Sequence, residues 1–469
     1  MLNRLESGLF AVYLAILVWV PLPFASNRPW GAGLMVLLLS VVMFLWLLLF
    51  AAGRVQLSRE AWRQMRLPFT LLALVQLWLL LQCIPLPRVV IEALSPQAYA
   101  WHIQQGWLTL SLDVAATRFY LLQGCALTAG FFLTTALVNS QSRLRLLLQI
   151  LVFSGTFQAA YGAFMVLSGV EYGFFVEKYA GQGVATGTFV NRNHLAGYLV
   201  MCLSAGIGLL LSQLSVHRPA NWKHRLEGWL RMLMSPKIRL RIYLAVMVIA
   251  LVLTRSRMGN IAFFAALSIT GLLYMRASGR FSPRIMAFLG SLILVDTLIL
   301  GRWFGFDKLV QRIEQTRPET EGRLWSNAYT WDYLERFPLT GSGGGSFYGI
   351  FPNFQPSDLR GFYDHAHNDY LEFAVELGIP ATIVLMLVVL LTARQAFQVL
   401  VKRRAPVLKG TAFAVLMTAV WGGIHSTADF NLQIPANALT FVTILALAAV
   451  AGSLQSAGVK PSHGLSAKD

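Results

Sequence analysis

Long apolar runs, separated by short polar connections, recur along this chain and restrict the folds open to it. A transmembrane helix needs about 20 mainly apolar residues, and residues 30–52, 67–86 and 434–454 are three of the runs that reach this length. Charged residues make up only 13% of the 469 residues, whereas a soluble domain carries about 25%. The sequence therefore predicts an all-α integral membrane protein.

We predict about twelve spans in a single polytopic membrane domain that covers residues 1–469. Their bounds are 8–26, 30–52, 67–86, 115–138, 144–168, 189–213, 241–254, 258–275, 285–303, 368–392, 409–427 and 434–454. The main extramembrane feature is an outer loop, residues 304–367, between spans nine and ten. We expect short helices within this loop.

The placement of charge predicts the orientation in the membrane. With the N-terminus inside, the inner segments hold most of the Lys and Arg residues; their acids are Glu6, Glu60, Glu227 and Asp469. Because Lys and Arg resist translocation, this bias predicts that both termini are cytoplasmic. The net charge of +17 is then a topology signal that also attracts anionic membrane lipid, and it does not indicate a nucleic-acid partner.

Cofactor signatures are not found in the sequence. Cys83, Cys125 and Cys202 all lie in predicted spans and show neither a disulfide framework nor a zinc spacing. A Walker-type nucleotide loop is also lacking. We predict that the protein uses neither a cofactor nor a metal.

Four groups of polar residues fall on the predicted outer face. They are Asn191–His194, Arg255–Arg257, Arg323, and the run Asp364–Asp369 with sequence DHAHND. Arginines on this face oppose the positive-inside tendency, and an arginine beside hydrocarbon costs a few kcal/mol. We interpret these groups as a site at the membrane interface.

The arginines suit an anionic lipid headgroup. A guanidinium group makes bidentate, permanently charged contacts with phosphate oxygens. We therefore predict that Arg257 and Arg323, with Arg192 and Arg255, bind a pyrophosphate, and that Asn193 supports them. The alternative for each arginine alone is snorkelling or an interfacial salt bridge.

His367 is the candidate catalytic residue. A histidine near its ordinary pKa can take a proton from an attacking hydroxyl; His365, Asn368, Asp364 and Asp369 would support it. One alternative is structural, with Asp364 or Asn368 capping span ten. Another is a metal site formed by Asp364, His365, His367 and Asp369, although this spacing matches no known metal motif.

The outer loop carries two further patterns. Leu324, Ala328, Trp331 and Leu334 recur at helical spacing and predict a helix over Glu321–Phe337. The run GSGGGS, Gly341–Ser346, follows it. Its backbone amides could cradle phosphate, but a flexible turn after the helix is favoured because no strand precedes the run.

At these residues the chain resembles the O-antigen ligase and Wzy-type polymerase superfamily. The strongest match is HNDYLEFAVELGIPA, His367–Ala381, and further matches are Thr186–Tyr198, Ser256–Asn260 and Gly322–Gly343. Ala381 stands where ligases more often have glycine, and Met258 is inserted between the Arg and Gly of the usual SRG.

The resemblance implies a GT-C-like, metal-independent and inverting glycosyltransferase. It would act on the periplasmic face of the bacterial inner membrane, with a glycan on undecaprenyl pyrophosphate as donor. By the same resemblance, Arg257 and Arg323 would hold the pyrophosphate and His367 would activate the acceptor hydroxyl. A chain-length regulator is a further possible partner.

Three functions remain open. The first is a polymerase of O-antigen or exopolysaccharide repeats, which we favour. The second is a ligase that transfers the glycan to lipid A core as acceptor. The third, from another class, is a lipid-linked oligosaccharide transporter; it is disfavoured because only Asp296 is placed deep in a span, whereas the other polar groups crowd one face.

Overall fold

The computed structural model describes residues 2–102, 108–174, 176–178, 181–213, 236–278, 290, 318–356 and 362–454. Within these ranges the regular secondary structure is helical, apart from one short hairpin in which Tyr172–Gly173 pairs antiparallel with Val176–Glu177 and an isolated bridge between Leu86 and Leu108. In chain order the helices are α1 Leu2–Trp19, α2 Pro29–Ala51, α3 Arg59–Cys83, α4 Arg88–Leu94, α5 Pro96–Trp101, α6 Val114–Leu137, α7 Gln141–Ser168, α8 Arg192–Ser212, α9 Pro236–Leu253, α10 Arg257–Ser278, α11 Pro318–Arg336, α12 Phe347–Ile350, α13 Asp369–Leu377, α14 Ile379–Lys402, α15 Pro406–His425 and α16 Pro435–Ser453.

Among the described residues, nine helices are long and apolar enough to cross a membrane. They are α2, α3, α6, α7, α8, α10, α14, α15 and α16. The prediction of an all-α, multi-pass membrane protein is thus confirmed at this level. Predicted spans 8–26 and 241–254 overlap helices α1 and α9, whereas span 285–303 with Asp296, apart from residue 290, and loop residues 304–317 and 357–361 lie outside the described part of the chain.

The first span was predicted to begin and end too late. Helix α1 ends at Trp19, and Phe24–Ser26 form a 3-10 turn with positive φ at all three residues. Pro21 and Pro23 explain the early end, because a proline within a helix removes a backbone hydrogen bond and collides with the preceding turn.

The tenth span was also wrong in its start. The predicted single helix 368–392 is two helices, α13 and α14, separated at Gly378. Gly378 has φ 83° and ψ 156°, a region that is essentially restricted to glycine. The membrane-length helix therefore begins at Ile379, and the residues before it form a separate short helix.

Helices α8, α15 and α16 form the centre of the bundle, because most of their membrane-length windows are buried. Helices that are apolar on all sides pack inside larger assemblies. Gly208 on α8 and Gly410 on α15 permit close approach: a Cβ on either glycine would lie about 2 Å from the other's carbonyl oxygen. At the periphery, α2 and α14 expose Phe44 and Leu390, as expected for lipid-facing surfaces.

A second hydrophobic core lies outside the main one and joins two outer segments. Ile91 of α4 and Ala98 of α5 belong to this core. The same core contains Tyr333 of α11, Val375 of α13, and Phe351, which directly follows α12. We call the segments that share this core the outer layer. It brings the α4–α5 connection, the second half of the outer loop and α13 together.

Helix α11 confirms the predicted helix, but only part of the apolar pattern is packed: Leu334 is buried, whereas Ala328 is exposed. Trp331 is 57% exposed, whereas Tyr333 and Phe337, which the pattern did not include, are buried. The packed face of α11 is aromatic and partly polar: the hydroxyl group of Tyr333 lies 2.5 Å from the Ser342 hydroxyl. A search for aliphatic spacing alone could not detect it.

The glycine run is a packed loop. The amides of Ser342 and Gly343 donate to the carbonyl oxygens of Val375 and Glu376, at 2.8 and 3.0 Å. A Cβ on Gly341 would lie 2.2 Å from the Glu376 carbonyl oxygen. The predicted turn after the helix is present, packed against α13, and these two amides are already used within the protein.

Candidate functional site

Helix α13 carries three buried carboxyl groups. Asp369, Glu372 and Glu376 are each at most 2% exposed, and their spacing places them along one face of the helix. Asn368 caps the helix: its Oδ1 accepts hydrogen bonds from the amides of Tyr370 and Leu371, at 3.0 and 3.2 Å. The predicted capping role of Asn368 is thus present, and its neighbours supply an acidic face to the site.

The three acids face different partners. Asp369 accepts a hydrogen bond from the hydroxyl group of Ser426, at 2.8 Å. Glu372 lies 2.6 Å from Nδ1 of His365 and accepts the Ala366 amide at 2.9 Å. Burial of a carboxylate is costly unless it is paired and hydrogen-bonded, and these contacts meet that requirement.

Glu376 is paired on one oxygen. Its Oε1 accepts the amide of Phe347, at 3.0 Å, while its Oε2 is buried and has no hydrogen-bond partner in the described part of the chain. Burial, together with the charge of Glu372, raises the pKa of Glu376 to about 8. This carboxyl group therefore favours its protonated form near neutral pH.

His365 favours its charged form near neutral pH, whereas Glu376 favours its neutral form. Burial would lower its pKa, but the charge and hydrogen bond of Glu372 outweigh burial and raise it to about 9. Burial also raises the pKa of Asp369 well above its ordinary value, and the charges of Glu372 and Asp429 add to this effect. At neutral pH the structure thus favours a cationic His365, held 2.6 Å from the buried carboxyl group of Glu372.

Phe430 is at the centre of three histidines. Its ring stacks on His365 with centroids 4.1 Å apart and meets His194 and His367 edge to face, at 4.6 and 4.9 Å. Phe430 is 4% exposed and lies in the connection between α15 and α16. The ring therefore brings the start of α8 and the DHAHND run against the same residue, and we call this group the histidine cluster.

Asp429 contacts two members of the histidine cluster, His194 and Phe430. Its Oδ1 lies 3.6 Å from Nε2 of His194 and accepts the amide of Phe430, at 2.9 Å. Burial would raise the pKa of Asp429, but the contact and charge of His194, with His425 and His367 nearby, lower it below its ordinary range. Asp429 is thus an ionised carboxylate surrounded by the imidazole rings of His194, His367 and His425.

The polar network continues into α16. The Nδ2 atom of Asn437 donates to the His194 carbonyl oxygen, at 3.0 Å, and to Oδ1 of Asn431, at 2.7 Å. Asn431 in turn contacts Nδ1 of His425 at 3.1 Å. These residues were missed by the sequence analysis, although HSTADFN, His425–Asn431, is a polar run between two apolar spans and was a visible signal.

His367 adopts a backbone conformation that is unusual for its residue type. Its φ is 53°, in the left-handed region, which costs a non-glycine residue about 1–3 kcal/mol and is frequent at functional sites. The side chain is half-buried, whereas Asp364 is exposed. The structure therefore brings His365, His367, Asn368 and Asp369 together and leaves Asp364 at the surface.

The predicted arginines lie on three elements: the start of α8, the α9–α10 turn and α11. Arg192 begins α8 behind Asn191, whose Oδ1 accepts the amide of Asn193, at 2.8 Å. Asn193 is buried and Arg192 exposed. His194, a member of the histidine cluster, follows Asn193, so Arg192 is two residues from the cluster in sequence.

Arg255 and Arg257 are exposed in the turn between α9 and α10, and Arg255 has φ 53°. Gly259 packs this turn on α8, because a Cβ there would lie 2.7 Å from the Cβ of Ala196. Arg323 falls within α11, but its side chain lies outside the described residues. A cavity shared by Arg257, Arg323 and His367 stays a prediction.

A narrow apolar cavity lies under α13. Its volume is about 150 Å³, and α3, α6, α14 and α16 form its walls. Phe373 and Leu377 of α13, and Leu432 and Gln433 just after the histidine cluster, close its upper end. Most of its lining side chains are apolar, and Gln76, Gln123 and Gln433 are among the polar ones.

Among the described residues, no group of three or more His, Cys, Asp or Glu side chains is arranged to hold a metal ion. Two residues of the alternative metal site predicted from the sequence have other partners: His365 contacts Glu372, and Asp369 contacts Ser426.

Comparison with known proteins supports the sequence motifs. A search of curated proteins finds no match to this chain. A family model described as O-antigen ligase matches residues 242–386, a stretch that includes Arg257, Arg323 and His367. The predicted resemblance to the O-antigen ligase and Wzy-type polymerase superfamily is thereby confirmed over this segment of a multi-pass membrane protein.

Proposed function

We propose that this protein is a glycosyltransferase that moves a glycan from undecaprenyl pyrophosphate to an acceptor hydroxyl at the periplasmic face of the inner membrane, with both termini in the cytoplasm. The observation that carries the proposal is the histidine cluster. In it, His367 is half-buried and has a strained backbone, and it packs on the same Phe430 ring as His365, which contacts the buried carboxyl group of Glu372. The O-antigen ligase match supports the reaction class.

The two histidines of the DHAHND run would have different roles. With a pKa of about 9, His365 holds its proton at neutral pH and cannot act as a general base. His367 lies outside the contact with Glu372 and is only half-buried. His367 is therefore the imidazole that accepts the proton, while His365 contributes fixed positive charge.

The reaction follows from these assignments. The acceptor oxygen attacks the anomeric carbon, its proton passes to His367, and the bond from that carbon to the pyrophosphate oxygen breaks. Attack opposite the leaving group inverts the anomeric configuration. Polyprenyl pyrophosphate departs with the bonding electron pair and needs neutralisation of charge more than a proton.

Fixed cations supply that neutralisation without a metal ion. Arg257 and Arg323 would bind the pyrophosphate, with Arg192 and Arg255 at its edge. Guanidinium groups match phosphate oxygens in bidentate geometry. The turn that bears Arg255 and Arg257 packs on α8 two residues beyond His194, which supports this assignment.

The apolar cavity under α13 suits the lipid part of the substrate. Its walls are membrane-length helices, and its upper end meets Leu432 and Gln433, adjacent to the histidine cluster. A polyprenyl tail that entered from the bilayer between α3, α6, α14 and α16 would place its headgroup toward the cluster. This arrangement supports a lipid-linked donor.

The identity of the acceptor distinguishes a polymerase from a ligase. We favour a polymerase, in which the growing chain is transferred to another lipid-linked repeat of O-antigen or exopolysaccharide. In a ligase, lipid A core would take that place. A transporter would move the lipid-linked glycan without breaking its glycosidic bond.

The test is a reaction with the purified protein and a lipid-linked repeat unit, without lipid A core. Longer glycans on the same lipid are expected; elongation only after core is supplied would mean a ligase, and transport without transfer under either condition would overturn the proposal. The variant His367→Asn should lose about 10²–10⁴-fold in rate. Asparagine tolerates the left-handed backbone conformation, so the thermal stability of the variant should match that of the wild type.

A further inference from the structure

A second cavity lies in the outer layer, apart from the histidine cluster and from the apolar cavity under α13. It has a volume of about 750 Å³ and is bounded by the end of α3, by α5, by the start of α6 and by α12. Ligand sites in proteins range over about 300–1,000 Å³, so this cavity is large enough for a molecule of several rings.

The walls of this cavity combine an aromatic surface with charged and polar groups. Trp101 is 41% exposed and presents an indole ring. Arg118 and Asp113 contribute opposite charges, and His102 and Thr109 add polar side chains. A hydrocarbon chain here would remove water from the charged groups without replacing their hydrogen bonds, which is unfavourable.

The side chains around Asp113 also leave room at the polar wall. Asp113 caps α6, and its Oδ1 accepts the amide of Ala116, at 3.0 Å. Its other oxygen faces Gly349, where an added Cβ would lie 3.7 Å away. Asp113 and Gly349 both line the cavity, so the carboxyl group and the glycine backbone meet at this wall.

A saccharide fits this combination of groups. Sugar rings have apolar faces, which pack on an aromatic ring such as indole, and hydroxyl edges, which pair with carboxylate and guanidinium groups. A purely anionic ligand is disfavoured because Asp113 would repel it. A neutral or mixed polyhydroxylated ligand satisfies both charges.

The cavity wall is linked to α13 through the backbone of Ser342. The amide of Leu112, on the cavity wall, donates to the Ser342 carbonyl oxygen, at 2.8 Å, and the amide of Ser342 donates to the Val375 carbonyl oxygen, at 2.8 Å. The next residue of α13 is Glu376, whose carboxyl group accepts the Phe347 amide. One layer of loop therefore separates the cavity from the acidic face of α13.

We propose that the cavity bounded by Trp101, Asp113, Arg118 and Gly349 binds the saccharide part of the lipid-linked substrate, at sugar units remote from the bond that reacts. This inference rests on the proposed function, because it assigns a subsite to that reaction. The subsite holds the glycan while the pyrophosphate and the anomeric carbon lie at the histidine cluster.

The test uses the purified full-length protein and two variants, Trp101→Ala and Arg118→Ala. With a lipid-linked repeat unit as substrate, each should raise KM by about three- to tenfold, with kcat unchanged, as expected for loss of one aromatic or polar contact. The control is Trp331→Ala, since Trp331 is an exposed tryptophan of the same outer layer that does not line the cavity. Unchanged KM values in both variants would overturn the subsite.

A binding measurement separates this inference from the proposed function. The same repeat-unit oligosaccharide, cleaved from its lipid, is titrated into wild type, Trp101→Ala and His367→Asn by calorimetry. Binding that is weakened about three- to tenfold in Trp101→Ala and kept in His367→Asn supports the subsite, even if no transfer is detected. Failure of the wild type to bind the oligosaccharide, or equal binding in Trp101→Ala, overturns it even if transfer proceeds.

Discussion

The Nδ1 atom of His365 lies 2.6 Å from Oε1 of Glu372, and the carboxylate is 2% exposed. Both residues come from one short stretch of chain, which turns at His367 and Asn368 before α13 begins. The pair therefore fixes the conformation of the DHAHND run as well as its charge. His367 lies between the two partners in sequence, so its strained backbone is held from both sides.

The His365–Glu372 pair predicts that stability falls as pH rises above neutrality. A histidine with a raised pKa stabilises the fold fully below its ordinary value of 6.5, and this contribution is lost as pH rises through about 9. Glu376 acts in the same direction, because its raised pKa favours the protonated form that is lost as pH rises through about 8. The apparent Tm of the detergent-solubilised protein should thus fall between about pH 6.5 and 9.

Glu372→Gln tests the cause of this dependence. The variant removes a charged hydrogen bond and should lose on the order of 2 kcal/mol at pH 6.5, with a flatter pH profile above it. The control is Glu60→Gln, whose partner Arg63 lies in an exposed contact. A wild-type Tm that is constant over this range would contradict the assignment of charge to His365.

The sequence predicted the class of fold and named several residues of the candidate site, and it missed what depends on packing. Apolar runs identify membrane helices because length and hydropathy are local properties. The break at Gly378 depends on a backbone conformation, and the ring of Phe430 meets three histidines only after α8 and the α15–α16 connection converge. The acids Glu372 and Glu376 were part of the matched motif, yet their burial could not be deduced from spacing alone.

Arg257 should act on the donor through its fixed charge. Arg257→Ala is expected to raise the donor KM by roughly tenfold or more, since a hydrogen bond to a charged group is worth about 1.5–3 kcal/mol. Arg257→Lys should recover only part of this loss because lysine lacks the bidentate fork. Arg276 is exposed in the last turn of the same helix, so Arg276→Ala is the matched control. Equal KM values for Arg257→Ala and Arg276→Ala would remove Arg257 from the site.

Chelation should leave the reaction intact. If arginine side chains and His365 neutralise the leaving pyrophosphate, as proposed, transfer should proceed at its usual rate in excess EDTA. The measurement is the initial rate with purified protein and lipid-linked repeat unit, with and without chelator. A loss that is restored by a divalent cation would instead indicate that a metal ion takes part.

The break between α13 and α14 should be essential for the shape of the outer layer. A Cβ on Gly378 would lie 2.2 Å from the carbonyl oxygen of Leu339, and its backbone conformation is one that side-chain-bearing residues rarely adopt. Gly378→Ala should therefore lower the apparent Tm strongly and reduce transfer, because α13 carries the acids beside the histidine cluster. Gly53 also has a positive φ but has nothing within 4 Å of an added Cβ, so Gly53→Ala isolates the backbone cost of about 1–2 kcal/mol. A Tm for Gly378→Ala no lower than that of Gly53→Ala would show that α13 can separate from the Leu339 backbone without loss of the fold.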